Sequence, residues 1–129
     1  MAEIQKLAKV ISRIIGLKNE IKNDEAEELI KRTLTENFGL NFESLFKESP
    51  AEFDVILKSK SYSSEKLDLL GQLLFEAAHP FEDIPETDSI LHKVLMIFKL
   101  IEEDHHMQSF DNLNKREMID KFLNNRQYE

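Results

Sequence analysis

Two stretches, Leu67–Ala78 and Ile90–Ile101, are too apolar to face water on more than one narrow side. Among their residues only Asp68, Gln72 and Glu76 are polar in the first, and only His92, Lys93 and Lys99 in the second. Helices of this composition are covered by neighbours around most of their circumference, so the rest of the chain is read as their cover. The reading is a helical hairpin within Ser63–Met107, with Leu70, Leu74, Val94, Phe98 and Ile101 in its core. Gly71 falls on the packed side. A missing side chain there lets a second helix come close, at a helix-propensity cost of ~1 kcal/mol. Pro80 stops the first helix, and Phe81 and Ile84, between Pro80 and Pro85, are expected to plug the loop end of the hairpin. Glu65, Asp68, Gln72, Glu76 and His79 form one i, i+3/i+4 row and define the expected wet side of the first helix.

The flanking segments also read as helices. Ile4, Leu7, Ala8, Ile11, Ile14 and Ile15 repeat at helical spacing over Ala2–Ile15, with Lys6, Lys9 and Arg13 opposite and Gly16 as the stop. A second helix is predicted from an Asp24 cap to Phe38, with Glu25, Glu27 and Glu28 where the dipole favours negative charge. Ala26, Leu29, Ile30, Thr33, Leu34 and Phe38 are its buried stripe, and Gly39 ends it with Leu40 packing back on the last turn. The pair is expected to lie antiparallel. Two short helices follow, Phe42–Lys47 and one opened by Ser49-Pro50-Ala51-Glu52, a capping-box pattern with proline at the first position. The hairpin helices are predicted over Ser64–His79 and from Thr87 or Asp88 to His106. A last helix takes Asn114–Asn125, with Met118, Ile119, Phe122 and Leu123 as a short apolar stripe. No segment alternates as a strand does. The fold class is all-α in about six helices, and 129 residues suffice for one domain.

This layout resembles tetratricopeptide-type helix hairpins. Leu70-Gly71 with Leu74 is similar to the leucine-glycine-aromatic signature of a repeat's first helix, and Val94, Phe98 and Ile101 stand where the second helix has alanine, phenylalanine and alanine. The loop between them is longer than the repeat's, and two short helices interrupt the period. The chain also resembles a family of small helical bacterial proteins known as a domain of unknown function. That likeness lies in the basic-apolar first helix, Ala26, Phe38-Gly39-Leu40 and Ser109-Phe110 before a charged last helix. Together these resemblances imply a right-handed array of helical hairpins and no particular reaction.

Composition removes several function classes. The chain has no cysteine, hence no thiol catalysis and no cysteine-type zinc site, and it fits a reducing compartment. A net charge of −8 repels phosphate, and the densest basic pairs, Lys31-Arg32 and Lys115-Arg116, are flanked by acids, so nucleic acid is not an expected partner. No apolar run approaches the ~20 residues that span a bilayer. Glu3, Lys6, Lys9 and Arg13 interrupt the N-terminal helix as a signal peptide would not. The expected location is the cytoplasm.

The candidate chemistry is sparse. Glu76-Ala-Ala-His79 and Glu102-Glu-Asp-His105 have the Glu-x-x-His spacing that aims a carboxylate and an imidazole at one metal. In a hairpin, however, they fall at opposite ends, ~20 Å apart by helical rise. Asp104 with His105 and His106 is a further cation-binding candidate. Neither a nucleophile elbow nor a glycine-rich phosphate loop is present. Met96 interrupts the polar row His92, Met96, Lys99, Glu103 and His106. The residues singled out for protein contact are therefore His92, Met96, Lys99, Met118 and Phe122. The function expected is a non-enzymatic helical interaction module or small oligomer, bound to a protein partner or to itself, with no cofactor. The competing reading is a metal-dependent enzyme using His79, His92 or the His105/His106 end.

Overall fold

A computed structural model describes residues 2–104 and 110–127, and every regular element within them is helical. The first helix, α1 (Ala2–Asn19), buries Leu7, Ile11 and Ile14. Gly16 does not stop it. Nothing crowds that position, and the helix continues to Asn19. Ala8 and Ile15, assigned by spacing to the buried stripe, lie outside it, Ile15 being 41% exposed, so the stripe α1 buries is narrower than its apolar spacing suggests.

The next helix, α2 (Asn23–Thr33), starts one residue before Asp24, with Lys22 in the cap position and no side-chain cap bond; Asp24 and Glu25 instead occupy its first turn. The helix then widens into a π-type turn, Leu34–Phe38. Here Thr33 Oγ1 donates to the Leu29 carbonyl (2.7 Å) and Thr35 Oγ1 to that of Lys31 (3.2 Å), competing for backbone acceptors in the manner that bends helices. Gly39, at φ 67°, closes the helix, and the Leu40 N–H donates to the Leu34 carbonyl at 2.9 Å, a six-residue closure that needs a left-handed residue.

A single turn follows, α3 (Phe42–Leu45), shorter than the expected Phe42–Lys47 and capped by Asn41, whose side chain accepts from Ser44 N at 3.0 Å. Then α4 (Pro50–Lys60) carries the capping box in full: Glu52 N donates to Ser49 Oγ (3.1 Å) and Ser49 N to Glu52 Oε1 (3.2 Å). The hairpin helices are α5 (Ser64–Ala78) and α6 (Pro85–Asp104). The latter begins at Pro85 rather than Thr87 or Asp88, because proline suits a first helical turn whose N–H groups lack partners. Finally α7 (Phe110–Gln127) starts earlier than Asn114. The described residues thus hold seven helices rather than about six, while His105, His106 and Ser109 lie outside them.

Everything is placed relative to α5. Eight of its fifteen residues are buried, Leu67, Leu69, Leu70, Gly71, Leu73, Leu74, Phe75 and Ala78, with α6, α1 and α2 packed on it. The chain turns over residues 79–84 and α6 comes back so close that a Cβ on Gly71 would stand 3.0 Å from Phe98 Cε1 and 3.4 Å from Ile97 Cγ2. Two polar clamps fix α1 against α5. Glu3 pairs with Lys66 near the start of both helices and Lys18 with Glu76 near the end of both, each at 3.2 Å, so the two helices run parallel.

The row expected to be wet is largely occupied. Asp68 accepts from Gln72 Nε2 and from Asn112 Nδ2 of α7, both at 2.9 Å, and Glu76 belongs to Lys18; of the five, Glu65 and His79 are exposed. At the hairpin's loop end Phe81 packs its ring 5.5 Å from Phe75 and 5.4 Å from Phe122, as a plug would. Ile84 does not join it and lies exposed. No helix among the described residues is long and apolar enough to cross a membrane.

The crossing at Gly71 leads to a stability prediction. Gly71→Leu drives a side chain into the buried Phe98 ring, and overpacking of that kind costs ~1–3 kcal/mol, more than the ~1 kcal/mol gained in helix propensity. Denaturant melts should show a lower midpoint; an unchanged or higher one would place Gly71 away from the contact.

Candidate functional site

A cleft of about 500 Å³ lies where the ends of α1, α2, α5 and α6 meet α3. Its sides are the first turns of α2 (Asn23, Ala26, Glu27, Ile30) and of α6 (Glu86, Thr87, Ile90), the last turn of α5 with the loop after it (Glu76–Pro80, Glu82, Ile84), and the aromatic pair Phe42 and Phe46 from α3 and its C-cap. Small residues make the space. Ala26, Ala77 and Ala78 stand where larger side chains would fill it. Its apolar surface comes from half-buried Ala77, from exposed Ile84 and from the half-buried phenylalanines, whose rings meet edge to face at 5.1 Å, with buried Ala26, Ile30, Ala78 and Ile90 behind them.

The rim is acidic. Negative charge is favoured in a first helical turn, and Glu86 of α6 brings it to the cleft, whereas Asp24 and Glu25 of α2 line a separate hollow with Arg13 and Arg32. Glu27 and Glu82 add to the rim; Glu27 has Lys31 at 3.4 Å, whereas Glu82 and Glu86 have no ion pair among the described residues. One cation, Lys18, lines the cleft and is fully engaged. Its ammonium donates to the Glu76 carbonyl (2.8 Å), Glu76 Oε1 (3.2 Å) and the His79 carbonyl (2.6 Å). Those carbonyls are the unpaired acceptors of the α5 C-terminus, where the dipole also favours a cation.

Glu76 and His79, the first Glu-x-x-His motif, therefore do different work. Glu76 serves Lys18, while the exposed His79 ring stacks on Phe75 at 6.0 Å and meets the Phe81 ring edge-on at 5.7 Å. In the second motif, Glu102 accepts Arg116 Nη1 from α7 at 2.9 Å, and His105 lies outside the described residues, as does His106. Among the described residues no three histidine, aspartate or glutamate side chains gather around one point.

The five residues proposed for protein contact lie elsewhere. His92 and Lys99 are exposed on α6, Lys99 pairing with Glu103 at 3.9 Å, and Met96 is half-buried beside them. On α7, Met118 is 44% exposed and Phe122 is half-buried against Phe81. None of the five lines the cleft.

A polar centre that spacing alone did not single out lies on the other side of α6. Lys93 is only 2% exposed. Its ammonium donates to the Glu48 carbonyl and to Ser89 Oγ, both at 3.0 Å, and lies 5.7 Å from the Phe53 ring. Burial pulls the Lys93 amine below its ordinary range, opposed by the Glu48 charge. Burial also pushes the Glu48 carboxyl up, opposed by Lys93. One oxygen, Glu48 Oε2, is buried without a hydrogen-bond partner among the described residues. The signal was available, since Lys93 falls three residues after Ile90 and four before Ile97, inside the core stripe. A second buried titratable group, Tyr62, donates its hydroxyl to the Phe38 carbonyl, and burial pushes its phenol up to about 12. Neither Lys93 nor Tyr62 lines the cleft, and both tie non-helical backbone to a core helix.

Removing the Lys93 ammonium leaves a poorly solvated carboxylate and an unmet carbonyl. Lys93→Met should cost ~1–3 kcal/mol, and Lys93→Met with Glu48→Gln should recover most of it, because losing both partners removes the unpaired charge. The pH dependence provides a second check. Between its lowered native value and 10.5, the folded chain has released the Lys93 proton and the unfolded chain still holds it. Stability therefore rises with pH across that window. This component of the rise should vanish in Lys93→Met; its persistence would assign it to another group. Comparison with family models, with curated proteins and with solved structures finds no match for this chain.

Proposed function

We propose that the chain is a non-enzymatic protein-docking module, a tetratricopeptide-like array of helical hairpins, and that a segment of its partner seats in the cleft. The observation that carries this reading is the cleft itself, which joins apolar surface to an acidic rim where parts of five helices meet. A volume of ~300–1,000 Å³ with mostly apolar walls and a few polar groups is the usual form of a binding site. Several features support the array. First helices of successive tetratricopeptide hairpins lie side by side and parallel, as α1 and α5 do here, and each is packed by the helix that follows in its own hairpin, as α2 packs on α1 and α6 on α5. The kinship proposed with the helical bacterial domain of unknown function rests on sequence positions alone, Ala26, Phe38-Gly39-Leu40 and Ser109-Phe110 before a charged last helix.

A photo-crosslinking amino acid placed singly at Ile84, Glu86, Lys99 or Met118 separates the surfaces in cells of the native host. The expected result is one discrete adduct from Ile84 and Glu86 and none from Lys99 or Met118. Adducts from Lys99 and Met118 alone would move the partner to the outer face of α6 and α7. An adduct of twice the chain's own mass would identify the partner as a second copy.

A further inference from the structure

Building on the reading of the cleft as a docking site, we infer that its occupant is a basic amphipathic segment of a partner protein, with lysine or arginine spaced among apolar side chains. The warrant is charge. Of the side chains that line the cleft, Glu27, Glu76, Glu82 and Glu86 are acidic and Lys18 alone is basic, a net −3. Glu27 comes from α2, and Glu82 and Glu86 come from the loop and first turn of α6, far along the chain.

The helix ends do not cancel this field. The two N-termini at the cleft contribute roughly half a positive charge each, against a net −3 on the side chains that line it. Lys18 is committed to Glu76 and to the α5 carbonyls. A cationic ligand is thus the complement of the rim, while an acidic or phosphorylated one meets repulsion.

The floor adds the second half of the specificity. The half-buried Phe42–Phe46 pair and exposed Ile84 offer apolar surface to aliphatic side chains and to the methylene stems of lysine and arginine. A cation already lies 5.6 Å from the Phe42 ring, that of Lys31, and the Phe46 ring beside it carries none among the described residues. Thr87 lines the same cleft at 5% exposure, and its hydroxyl has no hydrogen-bond partner among the described residues. It is a polar group placed to receive one from a ligand.

Three synthetic peptides with one apolar framework of leucine and phenylalanine, carrying lysine and arginine, glutamine, or glutamate at the intervening positions, test this by amide chemical shifts of the full chain. The expected result is that the basic peptide alone shifts Ala26–Ile30, Phe42–Phe46 and Glu82–Ile90, and that its affinity falls steeply with salt. Replacing Glu27, Glu82 and Glu86 by glutamine should weaken it about tenfold, three exposed ionic contacts at roughly 0.5 kcal/mol each. Glu36→Gln with Glu103→Gln and Asp120→Gln, removing the same charge elsewhere, should leave it unchanged. Equal shifts with the glutamine peptide, or an equal loss in the distant variant, would overturn the basic-segment inference while leaving a docking cleft. Shifts from no peptide, or only outside the cleft, would overturn both readings. Binding of free spermine as tight as that of the basic peptide would make the site one for small polyamines and also refute a partner segment.

Discussion

A helix that buries eight of fifteen residues has no side it can leave open, and that requirement on α5 organises the molecule. Each fully buried leucine or phenylalanine contributes ~1.5–3 kcal/mol when covered, whereas an exposed ion pair contributes 0–1 kcal/mol. Burial therefore decides that α1, α2 and α6 pack on α5, and polar contacts decide where along its length they sit. Gly71 sets the depth at which α6 approaches. The Glu3–Lys66 and Lys18–Glu76 pairs set the position and direction of α1, and Asn112 on Asp68 places α7. Lys66 also lies 5.5 Å from the Phe38 ring and 5.2 Å from that of Tyr62, so a single ammonium joins α1, α2 and α5.

The elements whose cause is local could be read from the chain alone. The Ser49–Glu52 capping box, the Gly39 closure and the core row Leu70, Leu74, Val94, Phe98 and Ile101 depend on residues a few positions apart, and all are as the pattern predicts. Errors fall where a partner comes from far along the chain. Asp68, Gln72 and Glu76 form an i, i+4 row that looks solvated, yet Asn112 and Lys18, more than forty positions away, take up Asp68 and Glu76. Lys93 reads as solvated by its charge and as core by its spacing. Spacing wins because the Glu48 carbonyl, in the bend before α4, is available to receive it. Ile15 shows the opposite error, an apolar residue at core spacing on a helix whose buried stripe is too narrow to include it.

The cleft could not have been read in this way, because it belongs to no segment. Its residues come from five helices and a loop, and its volume depends on alanines that look like ordinary helix formers. What was visible was the acidity of residues 20–28 and 82–88, which local reasoning correctly explains as negative charge at helix starts. Folding brings Glu27 from one of these stretches and Glu82 and Glu86 from the other to the same cleft.

Their charge has a cost in the free chain. Like charges crowded on one surface repel each other and weaken the compact state, and the one cation lining the cleft is spent on the α5 C-terminus. Capping alone needs an acid or two per helix start, and α2 meets that with Asp24 and Glu25, outside the cleft, before Glu27 is counted. Hydrophobic floor and surplus charge are each unremarkable separately. Placed in one cleft, they favour an occupant that is apolar and positive together, since only such a ligand covers the floor and relieves the rim in the same event.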